Sequence, residues 1–305
     1  MLKMTSFAGR TDLVLPVLER FPGHDAIKMI PTSSYSDPVP PIKPFLKWAG
    51  GKRWLASFMK ETVVDLPGRY IEPFVGSGAI YFALSPRRAL LSDVNKSLVE
   101  TFRCVRDYPG EIEGLLAAHH VRHSHEHYYA IRGANYVEPI ERAAQFIYLN
   151  RTCWNGLYRV NRQGKFNVPV GTKTSVTLSS DDWMGVSKLL SGAQLSCQDF
   201  EQAIDAAEKD DLVFADPPYT VKHNLNGFIK YNESLFSWDD QIRLHNSLLR
   251  AKKRNVKIFV TNADHESVRK LYAADFKMIP LERASVLSGD PAYRGRFNEL
   301  FITAN

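Results

Sequence analysis

Cysteine is scarce in this 305-residue chain: Cys104, Cys153 and Cys197 stand far apart, and no CxxC pair occurs. Such usage excludes a disulfide framework and a thiolate zinc site, and it makes a reducing compartment the expected setting. No stretch approaches the ~18 to 20 apolar residues that cross a bilayer, and no apolar run follows a basic start. Neither a membrane span nor a secretory leader is therefore expected, and the reading is of a cytoplasmic protein. Internal repeats and low-complexity tracts are also missing. The most informative absence is local. Between Arg142 and Ser180 there is no Asp or Glu, while Arg142, Arg151, Arg159, Arg162, Lys165 and Lys173 all fall in that window. With a formal net charge of +6 and a pI near 9.1, the imbalance marks a candidate phosphate-facing surface.

A composition that is 44% hydrophobic and 24% charged suits one large core with at most a second, smaller module. Residues 1–43 read as a flexible extension. Their segment from Pro31 to Pro41 lacks several backbone donors, and a short helix over Leu13 to Arg20 is compatible with the pattern. From Pro44 onward, short apolar runs alternate with amphipathic stretches, the signature of βα units feeding a parallel sheet. Strands are expected at Tyr70–Val75, Ala89–Ser92, Asp211–Ala215 and Val256–Thr261. Helices are expected over Trp54–Thr62, Ala79–Leu84 and Asp239–Lys252, the last entered through an S-x-x-D cap at Ser237 to Asp240. The middle of the chain, about 97–182, breaks the alternation with helical segments at Ser97–Val105 and Glu141–Asn150 and then a Gly- and Asn-rich stretch.

Four segments carry chemistry. In the run from Tyr70 to Phe82 a strand enters Gly76-Ser77-Gly78 and then a helix, letting the backbone turn tightly beside a ligand; taken alone, it is equally a plain tight turn. Asp93, at the end of the next strand, can accept hydrogen bonds from both hydroxyls of a ribose, or can instead cap the following helix. In the run from Phe45 to Trp54, two glycines open a helix beside Lys52 and Trp48, a setting for a carboxylate and a sulfonium or apolar group, or for a buried tryptophan next to a solvated basic run.

The fourth segment decides between these readings. A buried-looking strand ends in Asp216-Pro217-Pro218-Tyr219. An aromatic amine is a poor nucleophile because its lone pair is conjugated with the ring. If the Asp216 carboxylate and the Pro217 carbonyl each accept one of its hydrogens, the nitrogen approaches tetrahedral geometry and aims its lone pair at an electrophilic methyl group. Proline stiffens that carbonyl, and Tyr219 offers a face on which an extruded base stacks. The alternative is a rigid turn after a strand.

In these segments the chain resembles the Dam-type DNA adenine N6-methyltransferases, the alpha-group or D12 class. The matching strings are KWAGGK at 47–52, EPFVGSGA at 72–79, DVN at 93–95, LNRTCWNGLYRVNRQGKFNVPVG at 149–171 and DPPY at 216–219. Their order and spacing agree over about 44–305. The resemblance implies a Rossmann-like class I methyltransferase sheet with a C-terminal hairpin, in the α/β class. It also implies an inserted, mainly helical target-recognition domain carrying a β-hairpin. The corresponding bounds are 1–43 for the extension, 44–96 and 183–305 for the catalytic domain, and 97–182 for recognition.

The resemblance further implies S-adenosylmethionine as cofactor. It would be bound by Trp48, Lys52, Gly76, Gly78, Asp93 and Asp216, with Asp199 and Phe200 against its adenine. Catalysis would fall to Asp216, Pro217 and Tyr219. The partner would be double-stranded DNA containing GATC, with no obligatory protein partner evident, in a bacterial nucleoid or a phage-infected cell. Arg159 would read guanine, Leu157 and Pro169 a thymine methyl, and Trp154 or Asn155 the space beside an extruded adenine. Arg151, Arg162 and Lys165 would meet phosphates. An adenine methylase of a different recognition site is the alternative, followed by RNA or protein amine methylation and by a catalytically silent DNA-binding module. His119, His123 and His127 share one face if a single helix runs through them. No acid or thiolate completes a metal set there, so no metal is expected, and these three with His120 and His125 read as surface residues near phosphates. The polar loop 220–236 is expected to close beside the extruded base.

Overall fold

The computed structural model describes residues 42–161, 163–220, 236–284 and 296–304. The expected helix at 13–20, Arg162 and all but the ends of the 220–236 loop lie outside them. Seven strands form one sheet: β1 (Tyr70–Glu72), β2 (Ala89–Asp93), β3 (Ala193–Cys197), β4 (Leu212–Ala215), β5 (Lys257–Ala263), β6 (Lys277–Ala284) and β7 (Arg296–Ala304). Their order is β3-β2-β1-β4-β5-β7-β6. Pairing is parallel from β3 to β5, and β7 runs antiparallel to both of its neighbours. This is the class I methyltransferase arrangement. Because chain order reverses between β1 and β4, a crevice opens at the carboxyl ends of those two strands, the usual ligand position in an open α/β sheet.

The strand sequences explain why the sheet is covered on both faces. In β1, β4, β5 and β7, consecutive apolar residues alternate between two separate clusters. Tyr70, Leu212, Phe214, Phe259 and Phe301 enter one, while Ile71, Val213, Ala215, Ile258, Val260, Leu300 and Ile302 enter the other. A period of two with both phases apolar is what a doubly covered parallel sheet requires. The first face carries α1 (Ala56–Thr62), α2 (Ala79–Leu84) and α3 (Lys96–Asp107). The second carries α8 (Phe200–Asp205), α9 (Trp238–Lys253) and α10 (Glu266–Tyr272). Ser237 and Asp240 close a reciprocal capping box on α9, as the S-x-x-D pattern predicts.

Between β2 and β3 the chain adds α4 (Pro109–Arg122), α5 (His125–Gly133) and α6 (Pro139–Thr152), followed by a loop-rich hairpin and α7 (Trp183–Leu190). Alternating β-structure gives way here to helices that enclose the C-terminal half of α6, its polar Asn150, Arg151 and Thr152 included. It is buried from Phe146 through Thr152 and packs on α3, α4 and α5. The first core cluster runs unbroken from the sheet into these helices.

The histidine reading needs correction. The helix stops at His123, where ψ is 117°, and Ser124 caps a new helix by accepting from the His127 amide. His119, His123 and His127 nevertheless converge on Tyr148: the His119 ring stacks on it at 4.8 Å, and His123 Nδ1 lies 2.9 Å from its hydroxyl. His119 Nδ1 and His127 Nε2 are 3.0 Å apart. Burial, with the nearby His127 and Arg122 behind it, depresses His119 to about 4. It is a neutral packing residue at the α4–α5 junction rather than a phosphate contact. Among the described residues no group of three or more His, Cys, Asp or Glu is placed to hold a metal, and no helix is long and apolar enough to cross a membrane.

Candidate active site

The crevice is lined from the ends of four strands, β1 to β4. After β1 the chain turns through Gly76 at φ 47° and Gly78 at φ 66°, backbone that only glycine adopts without strain. A Cβ on Gly76 would also stand 2.8 Å from the Trp48 ring, so the indole lies directly on the turn. Gly76→Ala is expected to unfold at lower urea than Gly50→Ala. Gly50 shares the left-handed conformation but has open space around it, so its alanine costs only the backbone strain of roughly 1–2 kcal/mol.

At the end of β2, Asp93 Oδ2 accepts from the Gly76 amide at 3.3 Å and Oδ1 from the Asn95 amide at 2.9 Å. Burial pushes Asp93 up to about 6 against these donors. The helix cap falls to Asn95, whose side chain accepts from the Leu98 amide, so Asp93 is not spent on the cap and keeps lone pairs to spare. At the end of β3, Asp199 Oδ1 takes both the Glu201 amide and Arg243, at 2.9 and 2.8 Å. Phe200 is buried and stacks on Phe74 at 5.4 Å. Trp48, Gly76, Gly78, Asp93, Asp199 and Phe200 thus share one rim.

β4 delivers Asp216. Its Oδ1 receives Lys52 Nζ at 2.8 Å and Thr261 Oγ at 2.6 Å; both donors sit on the same oxygen, which leaves Oδ2 for another amine. Pro217 is buried and holds the following backbone. Lys52 is 4% exposed, a cost that needs compensating charge, and it also reaches Glu299 Oε2 at 3.6 Å and the Gly50 carbonyl at 2.8 Å. Its ammonium stands 4.8 Å from the centre of the Tyr219 ring, and the Tyr219 hydroxyl donates to Glu299 at 2.6 Å. Burial raises Asp216, opposed chiefly by Lys52 and then by Thr261, while the Glu299 charge adds to the rise. Beneath it, Glu72 accepts from the Tyr70 hydroxyl at 3.0 Å and is held well above the usual carboxylate range by burial.

The hairpin of the insert is closed by antiparallel bridges from Cys153 to Val170 and from Val160 to Phe166, and by Asn161, which folds the turn around Gly164. Trp154, Asn155, Arg159, Lys165 and Pro169 are exposed on it and Leu157 is half-buried. Arg159 Nε donates to Asn167 at 2.9 Å. Tyr158 stacks on Trp48 at 5.6 Å, tying the hairpin to the glycine turn.

Arg151 is the exception. It is 1% exposed, forms a two-pronged ion pair with Asp181 at 2.7 and 2.8 Å, and donates to the carbonyls of Phe45 and Val176. A guanidinium sealed inside the insert cannot touch DNA, so Arg151 is corrected to a structural residue. Arg142 likewise pairs with Glu100.

The expectations missed Glu299, Thr261 and Asn150. Glu299 is a lone acid inside an apolar strand, and that was the available signal. Asn150 trades hydrogen bonds with the Lys47 backbone, donating to its carbonyl and accepting from its amide, both at 2.8 Å.

Comparison with known proteins agrees with this geometry. The family model for the D12 class N6 adenine-specific DNA methyltransferases matches residues 48–286. The chain is 34% identical to the type II methyltransferase M.MjaIII of Methanocaldococcus jannaschii, over 86% of this chain and 99% of that protein. It is 32% identical to a DNA adenine methylase of Haemophilus influenzae, over 85% and 92%. Against the type II methyltransferase M1.LlaDCHI of Lactococcus lactis subsp. cremoris it is 30% identical, over 86% and 95%.

Proposed function

Since the chain belongs to the D12 class of N6 adenine-specific DNA methyltransferases, we propose that it takes S-adenosylmethionine as donor and methylates an adenine extruded from double-stranded DNA, within GATC. The observation that carries the reading is the placement of Asp216 at the sheet's switch point, with both Lys52 and Thr261 on Oδ1, an arrangement that leaves Oδ2 to accept from a substrate amine.

The residues along the rim fit the donor. Asp93 keeps lone pairs for ribose hydroxyls, Asp199 keeps Oδ2 for an adenine amine, and the Phe74–Phe200 stack supplies an apolar wall. When bound, the donor supplies a methyl group made electrophilic by sulfonium. The chain's own task is to shape the nucleophile. Asp216 Oδ2 and the Pro217 carbonyl accept the two amine hydrogens, and Tyr219 stacks on the extruded ring. With the donor bound, bond formation between this nitrogen and the methyl carbon would leave the C–S electron pair on sulfur. The surplus proton on nitrogen then leaves to Asp216 or to water.

The exposed side chains of Trp154, Asn155, Arg159, Lys165 and Pro169, with Leu157 beside them, support a major-groove hairpin. There Arg159 would read guanine by two hydrogen bonds and Lys165 would meet phosphate. GATC rests on the resemblance of 149–171 to the GATC-reading form of the family. Expression in cells lacking adenine methylation, followed by single-molecule sequencing, should reveal N6-methyladenine in GATC. Methylation at other sites would sink the specificity, and methylation nowhere would sink the activity.

A further inference from the structure

We propose that Glu299 is a positioning residue of the methyl-transfer site, holding the Tyr219 ring by its hydroxyl and Lys52 by its ammonium, and so setting the pose of the target base against Asp216. The inference rests on the donor and substrate named above.

Glu299 comes from β7, the antiparallel strand, where it pairs with Ala263 of β5 and precedes the buried run Leu300-Phe301-Ile302. An acid only 6% exposed in such a strand loses its hydration and needs strong partners in return. It has them on a single oxygen: the Tyr219 hydroxyl at 2.6 Å and Lys52 Nζ at 3.6 Å. Lys52 is already satisfied by Asp216 at 2.8 Å, so neutralising the lysine does not require a second carboxylate. Glu299 adds a fixed distance between lysine and ring. A stacking platform is useful only if it cannot swing, and the hydroxyl is the one atom of the tyrosine by which the ring's far end can be fixed. The ring, the ammonium and the Asp216 carboxylate thereby become one rigid unit tied to β7 as well as to the end of β4.

The charges around Asp216 give this role a distinctive signature. Lys52, Glu299 and Tyr219 face it beside Thr261, and Glu72 with Tyr70 lies below. Glu299 raises Asp216 while Lys52 lowers it. Glu299→Gln keeps the shape and an acceptor for the tyrosine hydroxyl but deletes the charge. Tyr219→Phe keeps the ring but deletes its tether.

Each substitution is expected to lower kcat about 10- to 100-fold, with KM for DNA and for S-adenosylmethionine essentially unchanged. In Glu299→Gln the acid limb of kcat/KM should move to lower pH, since a charge that opposed Asp216 ionisation has gone. A general loosening that released Lys52 would move it upward instead. On the protein without substrates, urea unfolding of Tyr219→Phe, Glu299→Leu and the double variant should be non-additive. Parental kcat with an unmoved or upward-moving limb in Glu299→Gln, or additive urea effects, would overturn the proposal. If the parent protein itself transfers no methyl group from S-adenosylmethionine to DNA, the donor and substrate reading fails instead, and the urea cycle still decides the Tyr219–Glu299 link.

Discussion

Asp216→Ala should reduce methyl transfer by on the order of 10³-fold or more while duplex binding stays close to that of the parent. The expected split follows from where the residue stands. Asp216 follows β4, remote in sequence from the hairpin, and its Oδ2 is the acceptor proposed to shape the amine. Single-turnover methylation and a gel-shift titration measure the two halves separately, and equal losses in both would refute the assignment.

Stability should respond in the opposite sense. Burial raises Asp216 above its unfolded value. A carboxylate shifted that way makes the fold less stable as pH rises from the unfolded pKa through the folded one, and the penalty persists at neutral pH. Asp216→Asn removes it and still offers an oxygen to Lys52 and Thr261. Its urea midpoint at pH 7 should therefore equal or exceed the parent's, as expected where function and stability compete.

The second large effect lies outside the chemistry. Arg151→Leu is expected to cost about 3–5 kcal/mol in urea unfolding at pH 7, because it strands Asp181, whose side chain is only 11% exposed, without its charge partner. Replacing both Arg151 and Asp181 by leucine should recover much of the loss, since an apolar pair of similar volume has no desolvation to offset. DNA affinity of the folded single variant should keep the parent's salt dependence. A reduced salt slope with unchanged stability would restore Arg151 to the interface.

These two residues also show what the sequence could and could not disclose. Asp216, the glycine turn and Asp93 are legible because each needs a particular residue type at a fixed distance from a strand end, so the chemistry is written locally. The capping box of α9 is legible for the same reason. Arg151 is not: its partner Asp181 sits one residue beyond the acid-free window, and a count of charges over that window cannot see across its edge. Glu299 lies 80 positions from Tyr219 and meets it only because β7 inserts beside β5. β3 escaped notice because Gln194, Ser196 and Cys197 face outward or half-outward from an edge strand, leaving too few apolar residues for the expected run. The three histidines misled in the other direction, since their spacing suits a helix that Ser124 interrupts.

The reciprocal bonds between Lys47 and Asn150 bear on how such enzymes can diversify. Lys47 belongs to the segment that leads into Lys52, and Asn150 to the helix that launches the hairpin. Gly156 closes the same joint, because a Cβ there would strike the Lys47 side chain at 2.7 Å. The hairpin is therefore mortised onto the segment before Lys52 by two stretches of chain, position 47 and positions 150–156, that lie far apart in the gene. A recombination event that exchanges only the hairpin would break the joint unless position 47 travels with 150 and 156. Site preference in this lineage should change by substitutions beyond the joint, along 157–169, rather than by wholesale exchange of the insert.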